Sequence, residues 1–188
     1  EFCNSFTRDP ITNQVTFLNK RPVNAAKEEV SGIDYAFTYN TEIGGLDTSF
    51  GLRATNLLKH ENQANPAAEV EVLRGKITAD RGSFAKWRTN MSAKVYTEKW
   101  SAGWSVRMIG EADDENGGGP IGSSVDNIFY HDLNFNYFVS DSLKLSLGVD
   151  NAFDEKAPYI TSWNDANTDV FTYDLLGQRW YMRASYEF

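Results

Sequence analysis

Few side chains in this sequence stand at spacings that suit bond-making chemistry. The two histidine–carboxylate neighbours are His60-Glu61 and His131-Asp132. Adjacent residues on a strand point to opposite faces, so His131 and Asp132 cannot act as a dyad there. His60-Glu61 falls at a strand end or in a loop and reads as a solvated pair. Gly117-Gly118-Gly119-Pro120 lacks the Lys-Ser/Thr of a phosphate loop and reads as a flexible loop tip. Cys3, the one cysteine, excludes an internal disulfide and a cysteine-rich zinc site. It is either a free surface thiol or half of a disulfide to a segment outside this sequence, as an oxidising compartment would favour. No catalytic constellation emerges, so neither an enzyme nor a cofactor is expected.

Two stretches could touch a ligand. Asp113-Asp114-Glu115-Asn116 reads as a solvated acidic loop, or as a contact for a cation or for lipopolysaccharide bridged by divalent cations. Trp163-Asn164-Asp165 offers an indole beside amides, a pairing that suits stacking on a sugar ring. Asp165, Asn167 and Asp169 take the first three ligand positions of a calcium loop. The turn glycine of that loop is replaced by Val170 and its late Glu by Leu176, which leaves calcium a weak reading.

The elements that would position these residues repeat with period two. Ile33, Tyr35, Phe37, Tyr39 and Ile43 oppose Asp34, Ala36, Thr38 and Asn40, the alternation of a strand. Six more strands follow: Leu46 to Ala54, Trp87 to Val95, Ala102 to Met108, Phe129 to Tyr137, Leu143 to Val149 and Trp180 to Phe188. A hairpin around Asp9-Pro10, with Val15 to Leu18 as its second arm, could precede them. Short connections near Gly44, Glu98 and Ser140 alternate with long ones over about 60–84, 111–125 and 154–172. No helical period competes.

Composition narrows the class. The chain has 188 residues, 26 Asp+Glu against 18 Lys+Arg and 14% aromatics. That acidic balance argues against a nucleic-acid binder, and the aromatics argue against disorder. A soluble β-sandwich would turn Val, Ile and Leu toward a second sheet. Here the apolar faces are rich in Trp, Tyr and Phe and carry no Lys, Arg, Asp or Glu. Their one ionisable side chain besides tyrosine is His131, expected near a membrane interface. The polar faces hold charges in mid-strand, among them Arg53, Lys94, Arg107, Asp132 and Arg183. An antiparallel transmembrane β-barrel requires both features, with aromatic girdles outside and a polar lumen inside.

The C-terminal residues carry a resemblance. Gly148-Val149-Asp150-Asn151-Ala152-Phe153-Asp154-Glu155-Lys156-Ala157-Pro158-Tyr159 resembles the G-V-x-N-L-F-D-x-x-P-P-Y signature of TonB-dependent outer-membrane receptors. Thr172-Tyr173-Asp174-Leu175-Leu176-Gly177-Gln178-Arg179-Trp180-Tyr181 is similar to their Y-D-x-x-G-R-x-Y segment. Trp180, Tyr186 and the terminal Phe188 fall in a strand that resembles the signal read by the barrel-assembly machinery. Phe6 to Val15 is similar to an R-D-P-x-T-G-x-I loop of one branch, and Ala26 to Asp34 to its x-x-E-x-S-G-I-D strand start. The departures are Ala152 for Leu, Ala157 for Pro and Gln178 for Arg.

The resemblance implies a 22-stranded barrel with a plugged lumen, of which this chain would be the C-terminal seven or eight strands. Residues 1–27 would be an extracellular loop or hairpin and residues 28–188 the barrel strands. The opening Glu1-Phe2-Cys3 carries no initiating Met and no signal peptide, which accords with a segment of a longer protein. The alternative is an autonomous eight-stranded barrel with the first hairpin arm as its eighth strand and a structural or adhesion role. The family implies active import of a scarce solute (an oligosaccharide, a peptide or an iron chelate) across the outer membrane of a Gram-negative bacterium. Implied partners are outer-membrane lipid and lipopolysaccharide, the receptor's N-terminal remainder and plug, the TonB energy-coupling complex and a surface lipoprotein.

Overall fold

The computed structural model describes residues 6–18, 27–79, 81–117, 119, 122–163 and 165–188. Among these residues it is all-β. Its strands are β1 (Phe6–Arg8), β2 (Val15–Leu18), β3 (Lys27–Ile43), β4 (Leu46–Gln63), β5 (Glu71–Val72), β6 (Lys76–Thr78), β7 (Gly82–Ser83), β8 (Trp87–Tyr96), β9 (Trp100–Ile109), β10 (Ala112–Asp114), β11 (Ser124–Val125), β12 (Ile128–Phe138), β13 (Leu143–Asp150) and β14 (Arg179–Tyr186).

The seven strands expected from alternation form one antiparallel meander, in the order β14-β13-β12-β9-β8-β4-β3, with β5 added against the end of β4. The short turns lie at one end. Gly44 and Gly45 hold φ of 60° and 79°, which the two-residue hairpin turn requires and glycine supplies without strain. The long connections lie at the other end. β3 and β4 run well past their expected ends, because a bulge between Ser31 and Gly32 breaks the alternation while pairing continues to Lys27–Gln63. Ion pairs bind this extension: Glu29 holds Lys27 and Lys59, and Lys59 also reaches Glu61 at 3.0 Å.

Register fixes the two faces. One row runs Tyr39, Phe50, Ala93, Trp104, Leu133, Val149 and Trp180, and the next runs Thr41, Thr48, Val95, Ala102, Phe135, Leu147 and Met182. No second layer covers this apolar face among the described residues. Phe37 is 59% exposed, Leu147 47% and Met182 85%. A β-sandwich buries that face, so the uncovered aromatic surface sets this sheet apart from one.

Buried apolar residues gather instead beneath the long loops. A small four-stranded sheet, in the order β11-β10-β6-β7, caps the loop end of the meander. Ile77, Ala85, Ile109, Ala112, Val125, Tyr130, Ile160, Trp163 and Tyr173 form its core. Connections expected as plain loops thus contain a folded unit.

The meander does not close among the described residues, since β3 and β14 are its two edges. The first hairpin forms, but β2 pairs with β1 and stays outside the sheet. This corrects the alternative in which the first hairpin arm serves as an eighth barrel strand. The hairpin's hydrogen bonds are local: Asp9 Oδ1 accepts from the backbone N of Ile11 and Thr12 at 2.8 Å each, an Asx turn that satisfies it without the sheet.

Candidate functional site

The polar face of the meander is a wall of short side chains interrupted by charges. One row runs Ala36, Arg53, Asn90, Arg107 and Tyr130. Lys94 stands in the row of Asn40, Ser49, Gly103 and Asn134. Arg183 shares a row with Ser146, Asn136 and Ser101. Asn136 donates to Ser101 Oγ at 3.1 Å and accepts from Ser146 Oγ at 2.7 Å, so these strands are tied through side chains as well as backbone. Gly51 opens a gap in the wall, where any Cβ would lie 2.7 Å from Ser92 Oγ.

The five charged residues singled out from the sequence all lie on this face, with different engagements. Arg107 stands over the Tyr130 ring at 4.9 Å. Asp132 Oδ1 accepts from Asn151 N at 2.8 Å. Arg53, Lys94 and Arg183 have no ion-pair or hydrogen-bond partner among the described residues. His131 is the fourth residue of β12, at the loop end. Its Nδ1 accepts from Trp104 Nε1 at 3.2 Å, and its ring meets the edge of Phe153 at 4.9 Å.

The two segments that carried the family resemblance pack on each other. Asn151 is buried with φ 51° and bonds Glu155 through both ends of its amide, at 2.9 and 2.8 Å. Asp154 Oδ1 accepts from Gln178 N at 3.0 Å, and Gln178 Nε2 donates to Ala152 O at 2.7 Å. The Lys156 ammonium and that backbone donor hold the Asp154 carboxyl below its usual range. Arg179 Nη1 reaches both Asp174 oxygens, at 2.9 and 3.1 Å. Burial pushes Asp174 up, but Arg179 and the Leu176 backbone N–H outweigh it and the carboxyl stays low. The conspicuous spacing of these motifs thus builds a clamp that turns the chain from β13 into β14.

The expected ligand loops behave differently from their sequence reading. Asp114 is buried: its carboxylate accepts from Asn116 N, Ser162 N and Thr161 Oγ1 at 3.2, 3.0 and 3.2 Å. It joins β10 to the loop before Trp163. Asp113 and Glu115 are exposed, and Asp113 lies 3.7 Å from Lys76. Trp163 is only 4% exposed and meets Phe171 edge-on at 5.7 Å. Its ring fills the cap core, so the structure corrects the picture of an indole offered to a sugar. Asn164 and Cys3 lie outside the described residues. Asp165 and Asn167 are exposed whereas Asp169 is fully buried, so the three do not converge as calcium ligands. Among the described residues no group of three His, Cys, Asp or Glu side chains is placed to hold a metal. Trp180 and Tyr186 lie on the exposed apolar side of β14, and Phe188 follows with its ring 5.1 Å from Tyr186.

Sequence reasoning missed the cap. Its signal was present in Ile77, Val125 and Ile160, apolar residues inside stretches read as loops, and in Ala85 and Tyr173 just beyond them. Tyr173 shows how closed the unit is: burial pushes its phenol up to about 12, with the Ser83 hydroxyl drawing it partly back. No family model, curated protein or solved structure matches this chain.

Proposed function

We propose that this chain is part of the barrel wall of a TonB-dependent receptor in the outer membrane of a Gram-negative bacterium. The receptor imports a scarce solute such as an oligosaccharide, a peptide or an iron chelate. One observation carries the reading: between its short turns and the bulge at Ser31/Gly32, a seven-stranded antiparallel meander leaves an aromatic, charge-free face uncovered and sets its charges on the opposite face. A hydrocarbon surround accepts the first face, and a hydrated lumen needs the second. The motif segments 148–159 and 172–181 add the family, and their mutual clamp gives those motifs a structural purpose.

In this reading the apolar face meets lipid and, in the outer leaflet, lipopolysaccharide. The polar wall faces the plug supplied by the N-terminal remainder of the receptor. The cap stands outside the cell, where a surface lipoprotein would dock, and the barrel-assembly machinery reads Trp180 to Phe188. A site tight enough to capture a dilute solute releases it slowly. Work delivered through the TonB complex therefore has to open the lumen.

The test is made on cells that express the whole receptor. Its recovery in the outer-membrane fraction as a band of heat-modifiable mobility is expected, together with solute uptake that stops when TonB is deleted. Recovery in the soluble fraction would sink the reading.

A further inference from the structure

The cations on the polar wall stand unpaired in an acidic chain. Its net charge is −8, and several cations elsewhere find carboxylates: Lys59 meets Glu29 and Glu61, Lys86 meets Glu111, and Arg179 meets Asp174, whereas Arg8 and Arg74 meet the backbone carbonyls of Asn13 and Leu57. On the wall, Arg53 and Lys94 meet none among the described residues. Arg107 has the Tyr130 ring alone, and Arg88 is held by Ser83 O at 2.9 Å. Two carboxylates share this part of the wall. Asp34 accepts from Thr55 Oγ1 at 2.6 Å, and Asp132 accepts from Asn151 N at 2.8 Å. Neither forms an ion pair with Arg53, Arg107 or Lys94. Glu42 and Asp47 share the register row at Tyr96, one step nearer the turns than Lys94, and bound the cationic stretch on β3, β4 and β8, while Arg183 stands in the same row on β14.

Register turns these cations into a ladder. Arg53 and Arg107 flank Asn90 in one row. Strands lie about 4.8 Å apart, so their backbones are roughly 10 Å from each other across the wall. Side chains on one face repeat about every 7 Å along a strand. Arg88 is therefore one step nearer the loops than Asn90, and Lys94 is two steps nearer the turns. Between Arg53 and Lys94 a depression of about 380 Å³ opens over Gly51 and is edged by Ser49 and Ser92. It offers room, hydroxyl donors and two uncompensated positive charges at one place.

We propose that this ladder is a binding track for an anionic solute, an oligomer that carries carboxylate, sulfate or phosphate groups. The assignment rests on the barrel reading, which makes the wall luminal, and deepens it by naming the class of solute. A single point anion needs one cluster. Cations spaced along a strand suit an extended chain with repeated oxyanions, passed from Arg88 at the loop end toward Lys94. Guanidinium forks at Arg53 and Arg107 bind planar oxyanions through paired N–H donors.

The experiment uses the whole receptor, purified in detergent from outer membranes, with heat-modifiable mobility checked for every variant. Calorimetric binding is measured for trigalacturonate, inorganic tripolyphosphate and neutral maltotriose. The expected result is binding of at least one anionic probe and not of maltotriose, with affinity that falls as salt rises. The stronger anionic probe identifies the oxyanion as carboxylate or phosphate. The double variant Arg53→Gln/Lys94→Gln should weaken that binding tenfold or more, and Lys99→Gln, at a turn, should leave it unchanged. Equal binding by the double variant and the wild type would overturn the proposal, and so would preference for maltotriose. A carboxylate of the receptor's own plug as occupant would show as no binding of either anionic probe and a lower melting temperature in the double variant, and would also overturn it. Failure to recover the receptor from the outer membrane would instead remove the barrel reading before any probe is added.

Discussion

Two side chains show how far the cap depends on single groups. Asp114 is buried and accepts three hydrogen bonds, from Asn116, Thr161 and Ser162. Asp114→Ala leaves two backbone donors without their partner, at a cost of about 1–3 kcal/mol. The break falls between β10 and the loop before Trp163, so it should appear as faster proteolytic nicking of the cap while the meander stays protected. Unchanged nicking would show that these bonds do not join the two segments. Tyr173 tests closure from another side. Its phenol is pushed from the ordinary 10.0 up to about 12 by burial. Between those values the opened chain has lost a proton that the folded cap keeps, so stability is full below about pH 10 and falls as pH rises toward 12. Two units correspond to about 2–3 kcal/mol. Ultraviolet titration of phenolate should show a late-ionising component, and Tyr173→Phe should remove one tyrosine's amplitude from it. A titration curve that Tyr173→Phe leaves unaltered would place the buried phenol elsewhere.

At the scale of the strand, the two faces make opposite demands on one kind of substitution. Leu133 lies on the apolar face, opposite Trp104 in register, and Ser105 lies on the polar face, opposite Asp132. On the barrel reading, Leu133→Arg would place a guanidinium in the lipid-facing band, where the cost near the midplane is about 2–4 kcal/mol. It should cut the amount of receptor assembled in the outer membrane severalfold. Ser105→Arg gives the same side chain a neighbouring carboxylate and should assemble at the wild-type level. Equal assembly of the two variants would deny that the faces differ in environment. This contrast was legible in the sequence, because alternation of Phe129, Leu133 and Phe135 with Tyr130, Asp132 and Asn134 is a direct image of strand geometry. What was illegible has physical reasons too. The extension of β3 and β4 past Ile33 and Ala54 hid behind the bulge opposite Ser31 and Gly32, where Leu58 is the extra residue and the later side chains of β4 shift by one face. The cap hid because β6, β7, β10 and β11 are two or three residues long, too short for a period to show. Trp163 looked like a ligand contact because a tryptophan in a polar stretch gives no hint of the Phe171 and Tyr173 that bury it. The cationic ladder also needed the structure: Arg53, Lys94 and Arg107 were visible as inward charges, but their lack of carboxylate partners is a fact of three dimensions.

For the whole molecule, the decisive feature is a sheet whose two edge strands, β3 and β14, have no outer partner among the described residues. β3 presents seventeen residues on one edge, and β14 presents eight on the other. In water a long flat edge recruits any strand that meets it. In hydrocarbon the penalty is steeper, since each unpaired backbone group costs several kcal/mol and only closed barrels avoid it. On the barrel reading proposed above, the meander would therefore not be lodged in a bilayer by itself, and further strands would continue it from both edges. On that reading the apolar face calls for a lipid surround and the edges for a completed ring. Refolded alone in detergent micelles, this chain of 21.2 kDa should give mixed oligomers through edge pairing, with no single heat-modifiable band. The whole receptor under the same conditions should give one such band and one mass. Light scattering coupled to size exclusion separates these outcomes. A homogeneous monomer of the chain alone, with all strand amides protected from hydrogen exchange, would mean that β3 and β14 find each other, and the larger ring would then be unnecessary.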